Sequence, residues 1–277
     1  MDWNKANTIL IIAFIVINIS LVIASFNNIP SEDYDVMSDD YFINNVENIL
    51  KNNNIIINCE IPDDTYVLPV LDIEYNMINV NDDLLQNYLG ENIKAIEDVF
   101  IYNNSKGETL EIIDGKKIIY TIRNKVPGKI QKEEFINDTI SNFIKEKNIN
   151  SDDFEETYRY ISEDVNYVVY NQIHNDYSIE NSYMYFFVDN KGIYNFEMQK
   201  AILINEIKDK IRTLPAIEAL PRLLTYDDVK DKEIINIEMT YYSLEDENWK
   251  YITRINSDPT WKVNFNDGSI KYLSSFD

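Results

Sequence analysis

Hydrophobic positions change their spacing several times along the chain, and each spacing predicts an element. Thr8 to Phe26 is a largely apolar run of 19 residues without a charge. As a helix rising ~1.5 Å per residue it would reach about 28 Å, close to the hydrocarbon thickness of a bilayer. Residues 30–38 are polar and acidic and read as a linker. A helix fits Asp39 to Asn53, because Phe42, Val46, Ile49 and Leu50 fall on one face and Ser38 or Asp39 can cap it. Strand-like pieces follow at Ile55–Ile61 and Thr65–Tyr75, then a short helix at Asp82–Tyr88 closed by Gly90. Thr109–Ile113 and Lys116–Arg123 flank Asp114-Gly115, a turn pair suited to positive φ, and so predict a hairpin. Val126-Pro127-Gly128 breaks the pattern and is the expected junction between domains.

The second half repeats the alternation of helix and strands. Phe135, Ile136, Ile140, Phe143 and Ile144 form the stripe of a helix over Lys132–Lys147. Strands are expected at Phe154–Ile161, Val165–His174, Ser182–Val188 and Gly192–Ile204, and a helix at Thr213–Thr225 that Pro221 must kink or end. The last 45 or so residues alternate strictly. Ile235, Ile237, Met239 and Tyr241 share one face; so do Trp249, Tyr251 and Thr253, and Trp261, Val263 and Phe265. An antiparallel meander covered on one side is expected, with Asn266-Asp267-Gly268 as its last turn. The class is α+β: one N-terminal transmembrane helix, then antiparallel sheets packed with helices. The expected divisions are an anchor at 1–29, a linker at 30–38, and α+β domains at 39–127 and 128–277.

A cleaved signal peptide is the rival reading of the apolar run, but its core would be shorter and Ala24-Ser25-Phe26 makes a poor cleavage site. Lys5 and the amino terminus precede the run, whereas Glu32, Asp33, Asp35, Asp39 and Asp40 follow it. The positive-inside rule then places the N-terminus in the cytoplasm and the bulk of the chain outside, as a single-pass protein of the cell membrane. Asn18 lies inside the span. It is either a tolerated amide or a hydrogen-bonding contact to another helix in lipid. With Phe14, Ser20 and Leu21 it makes the candidate partner-binding set of the span.

Charge removes one class of partner. The chain carries 25 basic and 48 acidic residues, a net charge of −23, which repels nucleic-acid phosphates. Of its residues, 45% are hydrophobic, so it can bury a core. Its 20 tyrosines read mostly as sheet formers and packing groups. Chemistry-bearing motifs are missing. One cysteine, Cys59, excludes an internal disulfide and reads as a small buried hydrophobe beside Ile55, Ile56, Ile57 and Ile61. One histidine, His174, cannot build a His-rich zinc site and reads as structural. No phosphate-binding glycine loop, nucleophile elbow or calcium loop is present. The pairs Asp63-Asp64, Asp82-Asp83, Asp152-Asp153 and Asp227-Asp228 read as caps and turns, although a two-carboxylate hydrolase is not excluded by counting. Neither a cofactor nor a metal is expected.

The opening Met1-Asp2-Trp3-Asn4-Lys5, running into Thr8-Ile9 and Ile11-Ile12-Ala13-Phe14, resembles the start of the YycI family. Near the other end, Lys200–Leu224 resembles the family segment that ends in a helix. Tyr241-Tyr242-Ser243-Leu244 is similar to its G-Y-Y-T strand, with Thr240 in place of the glycine. Pro259-Thr260-Trp261-Lys262-Val263 is similar to its P-T-W-R-V strand. The resemblance implies a regulator with an extracytoplasmic α+β domain akin to parts of YycH. It implies action with YycH, through contacts between transmembrane helices, on the sensor histidine kinase WalK (YycG), which controls cell-wall metabolism. Two other readings compete: an anchored module binding wall peptide or glycan through its Tyr-rich sheet, and a secreted hydrolase.

Overall fold

A computed structural model describes residues 39–96, 100–126, 133–162, 165–243 and 252–276. The predicted span Thr8–Phe26, the linker before Asp39, Pro127 and Gly128 of the expected junction, and the expected strand residues Trp249 and Tyr251 lie outside them. Among the described residues no helix is long and apolar enough to cross a membrane. The chain separates into two compact units at residue 48. The boundary falls inside the first helix, α1 (Asp39–Asn52). The architecture that follows is that of the second unit, Ile49–Asp277.

Its elements run β1 (Ile55–Ile57), β2 (Val67–Tyr75), α2 (Asp82–Leu89), β3 (Lys94–Ala95), β4 (Ile101–Asn103), β5 (Thr109–Ile113), β6 (Lys117–Thr121) and α3 (Glu133–Glu146). Then come β7 (Phe154–Ile161), β8 (Asn166–His174), β9 (Tyr177–Asp189), β10 (Gly192–Gln199), β11 (Ala201–Arg212), α4 (Ala216–Ala219), β12 (Lys232–Tyr242), β13 (Arg254–Phe265) and β14 (Ile270–Ser274). The strands join into one large, mostly antiparallel sheet along the path β11-β2-β13-β12-β9-β10-β6-β5-β4-β3, with β8 and β7 branching from β9 and β14 from β13. Two pairings are parallel, β1 with β12 and β12 with β9. The α+β expectation holds: among the described residues the helices accompany one mixed, mostly antiparallel sheet rather than several sheets.

Helix α3 shows why its stripe was readable. Ile136, Ile140 and Phe143 are buried on the face of β6, β9 and β10, joined there by Tyr88 and Leu89 of α2. Each such side chain contributes about 1.5–3 kcal/mol by leaving water. The Phe143 ring lies 5.1 Å from that of Phe196 and 6.1 Å from that of Phe186. Helix α2 is stopped and started by its caps: Asn81 Oδ1 accepts from Leu84 N at 2.8 Å, and Gly90 adopts φ 70° while its N–H donates to Gln86 O. The expected hairpin is present, with Asp114 and Gly115 both at positive φ.

Other expectations need correction. Ile55–Ile61 was too long a strand; only Ile55–Ile57 pairs, and Cys59 is half-buried beyond its end. Gly192–Ile204 is two strands broken at Lys200. Thr213–Thr225 keeps one α-helical turn before Pro221, after which Leu220–Thr225 tightens to a 3₁₀ helix. In β12 a bulge between Ile234 and Asn236 changes the expected facing at the start of the strand only: Ile234 is buried and Ile235 exposed, whereas Ile237, Met239 and Tyr241 are buried as expected. The polar side of β13 is covered too, since Lys262 and Asn264 are as buried as Trp261 and Val263. Lys262 is held there by Glu180 and Glu238, and rings of β7 and β8 pack against the turn that follows β13. Tyr167 Oη donates to Gly268 O at 2.6 Å, and the Tyr160 ring lies against Gly268, where a Cβ would come within 2.9 Å of it.

Candidate functional site

Two polar features stand out in the described residues. The first is a buried ion-pair network at an irregularity in β9. Between Asn171↔Tyr183 and Gln172↔Ile179 the register with β8 jumps, so Glu180, Asn181 and Ser182 have no ladder partner on that side. Side-chain amides replace the missing bonds. Asn171 Nδ2 donates to Ile179 O and Ser182 O at 3.2 Å, and Gln199 Nε2 donates to Asn181 O at 2.9 Å. Asn181 exchanges two bonds with the Ser243 backbone. The bulge turns Glu180 inward, where its side chain is 2% exposed. Its Oε1 accepts from Ser178 Oγ (2.8 Å), Thr240 Oγ1 (3.0 Å) and Lys262 Nζ (3.0 Å), and its Oε2 from Tyr272 Oη (2.8 Å). Lys262 Nζ also lies 3.1 Å from Glu238 Oε1. Burial alone would lower the Lys262 pKa, but Glu180 and Glu238 outweigh it and hold the ammonium above its ordinary value. Burial, reinforced by Glu180, pushes the Tyr272 hydroxyl well above the usual phenol range. Tyr272 stacks on Tyr242 at 3.8 Å. This network ties β9, β12, β13 and β14 together, and every member is occupied with another.

The second feature is a cavity of about 460 Å³. Its walls are the 76–81 segment before α2, α2 itself, the 147–150 turn after α3, and the ends of β6 and β10. Ile78, Ile118, Ile149 and Met198 give it an apolar floor. Three lysines line it, and among the described lining residues there is no carboxylate. Lys147 Nζ donates to Tyr88 O (2.8 Å) and Tyr120 Oη (3.2 Å) and lies 4.8 Å from the Tyr120 ring centre. Burial lowers its pKa, an effect that Glu108 and Glu146 partly offset. Lys200 Nζ pairs with Asp153 Oδ1 at 2.9 Å, and Lys116 Nζ donates to Ile252 O at 2.5 Å.

Asn18, Phe14, Ser20 and Leu21 lie outside the described residues, so the structure brings none of them together. His174 sits at the end of β8, 3.0 Å from Glu206 Oε1. Among the described residues no group of three or more His, Cys, Asp or Glu side chains could hold a metal ion. Tyr241 and Trp261 are core, as alternation implied. The sequence reading missed the cavity, although its signal was there: asparagines crowd Asn76, Asn79 and Asn81, then Asn148 and Asn150, beside lysines at element ends.

Residues 36–274 match the family model described as YycI protein. The chain belongs to the YycI family. No curated protein matches it. Among solved structures, YycH from Bacillus subtilis is similar with a TM-score of 0.55 at 13% identity, over 76% of this chain and 53% of that one. This YycI family chain therefore spans about half the length of the YycH it matches, and at that identity the likeness is one of fold. An uncharacterised protein from Eubacterium rectale ATCC 33656 aligns over 86% of this chain and 97% of its own, at 12% identity and a TM-score of 0.48. The C-terminal domain of YpeB from Bacillus megaterium aligns over 72% and 94%, at 9% identity and 0.36.

Proposed function

We propose that the chain is a membrane-anchored, non-catalytic regulator of a sensor histidine kinase of the WalK (YycG) type. The span Thr8–Phe26 contacts the kinase's own spans through Asn18, Phe14, Ser20 and Leu21, with its N-terminus in the cytoplasm. The region beyond the span lies outside the cell and binds a YycH-like protein. Family membership over residues 36–274 carries this reading. The fold shared with YycH is consistent with it. A polar residue in a lipid-facing helix favours association by a hydrogen bond worth about 0.6 kcal/mol on average. To change the kinase's output, the complex must favour one of its two signalling states over the other.

The test is co-purification from membranes. Full-length protein serves as bait beside a version whose Thr8–Phe26 is replaced by a neutral polyleucine-alanine helix. Both the kinase and a YycH-like protein should accompany the native bait, and the swapped span should lose the kinase while keeping the YycH-like protein. Retention of the kinase on the swapped helix would sink the span as the contact; absence of both partners from the native bait would sink the regulator.

A further inference from the structure

We infer that the cavity between α2, the turn after α3 and the ends of β6 and β10 binds a short peptide through a free carboxylate. The inference stands apart from the kinase reading, since it rests only on the walls of the cavity. Its volume, about 460 Å³, falls in the ~300–1,000 Å³ range of clefts that take small organic ligands. The charge of its walls is opposite to that of the chain. In a protein with 48 acidic and 25 basic residues, the described lining residues of this cavity include no carboxylate but do include Lys147, and Lys200, which is paired with Asp153 outside the lining. An anion repelled by the rest of the surface is attracted here.

The donors are oriented. Lys147 spends two of its three N–H groups on Tyr88 O and Tyr120 Oη, which fixes the ammonium in the wall with one donor to spare. An incoming carboxylate would add to the counter-charge that Glu108 and Glu146 supply only in part. The side-chain amides of Asn76, Asn79, Asn87 and Asn148 line the same space. Each offers a donor and an acceptor together, the complement of a peptide N–H and C=O. The apolar floor of Ile78, Ile118, Ile149 and Met198 is wasted on an inorganic ion but accepts an aliphatic side chain.

The probes are N-acetyl-alanyl-glutamate and its fully amidated counterpart, titrated by calorimetry into full-length protein in nanodiscs. Inorganic phosphate and glucuronate are titrated in parallel. The acid should bind saturably and the amidated form at least about tenfold more weakly, the difference expected for losing a charge-assisted bond. Lys147→Met should reduce affinity by a similar factor. Because Lys147 also supports Tyr88 and Tyr120, Asn76→Asp and Asn148→Asp provide the second arm. Both change a wall amide to a carboxylate without touching the core, and each should weaken the acid about tenfold while leaving the melting temperature in place. No saturation by about 10 mM acid in folded protein overturns the proposal. So does equal binding of the amidated peptide, binding untouched by both Asp variants, or preference for phosphate or glucuronate over the peptide.

Discussion

Asp189 shows how one side chain can hold a turn. It closes β9 with its carboxylate buried, accepting from Arg123 Nη1 at 2.5 Å and Nη2 at 2.6 Å in a two-pronged pair. The Val126 N–H (2.7 Å) and Lys191 N–H (2.8 Å) donate to the same two oxygens. Burial by itself would raise this pKa; the guanidinium and the two N–H groups overcome it and hold the carboxyl below the usual range. A carboxylate whose folded pKa is depressed contributes stability that is present above its unfolded value of about 3.9 and is lost as pH falls through the folded value. Asp189→Asn should therefore cost about 3 kcal/mol at pH 7, because it leaves Arg123 without its counter-charge. The deficit should shrink as the medium falls below the unfolded value of about 3.9 toward the depressed folded one, where the native carboxyl is protonated as well. Urea unfolding of both proteins at neutral pH and in that acid range measures it, and a deficit that ignores pH would refute the assignment. The sequence carried part of this: Asp189-Asn190-Lys191-Gly192 is legible as a turn, but Arg123, 66 residues away, gave no sign of being the partner.

At the scale of elements, sequence patterns were reliable where one period ran undisturbed and failed where a strand changed its facing. The stripe of α3 and the hairpin at Asp114-Gly115 were readable because local geometry alone fixes them. The start of β9 was not. Tyr177–Ser182 lacks alternation because its Glu180–Ser182 stretch leaves the β8 ladder and is satisfied by Asn171, Gln199 and Ser243 instead. A buried glutamate reads as a surface residue until Lys262, 82 positions later, is placed beside it. The energetic consequence can be isolated in a double-mutant cycle. Lys262→Met should destabilise by about 3–5 kcal/mol by stranding Glu180 in a buried site. Adding Glu180→Gln should restore part of that loss, since a neutral amide can still use the Ser178, Thr240 and Tyr272 hydroxyls. A coupling of about 1–3 kcal/mol between the two substitutions is expected from chemical denaturation; strict additivity would show that the pair does not act as a unit.

At the scale of the whole molecule, the two C-terminal strand motifs fall within the residues 36–274 that match the family, whereas the cavity took shape only on folding. Its walls are drawn from five segments between Asn76 and Lys200, each bland by itself. The remaining question at this scale is topology, and the single cysteine makes it accessible. Cys59 is half-buried and burial raises its thiol pKa, so it should react slowly with maleimides. In a Cys59→Ser background, Asp227→Cys places a thiol where the native side chain is fully exposed. If the region after the span lies outside the cell, a membrane-impermeant maleimide should label this variant in intact cells as completely as in lysed ones. The Cys59→Ser parent, having no thiol, should remain dark in both. Labelling that appears only after lysis would put residue 227 in the cytoplasm. It would reverse the orientation drawn from Lys5 and the acidic residues 32–40, and it would leave the proposed pairing with YycH without a shared compartment.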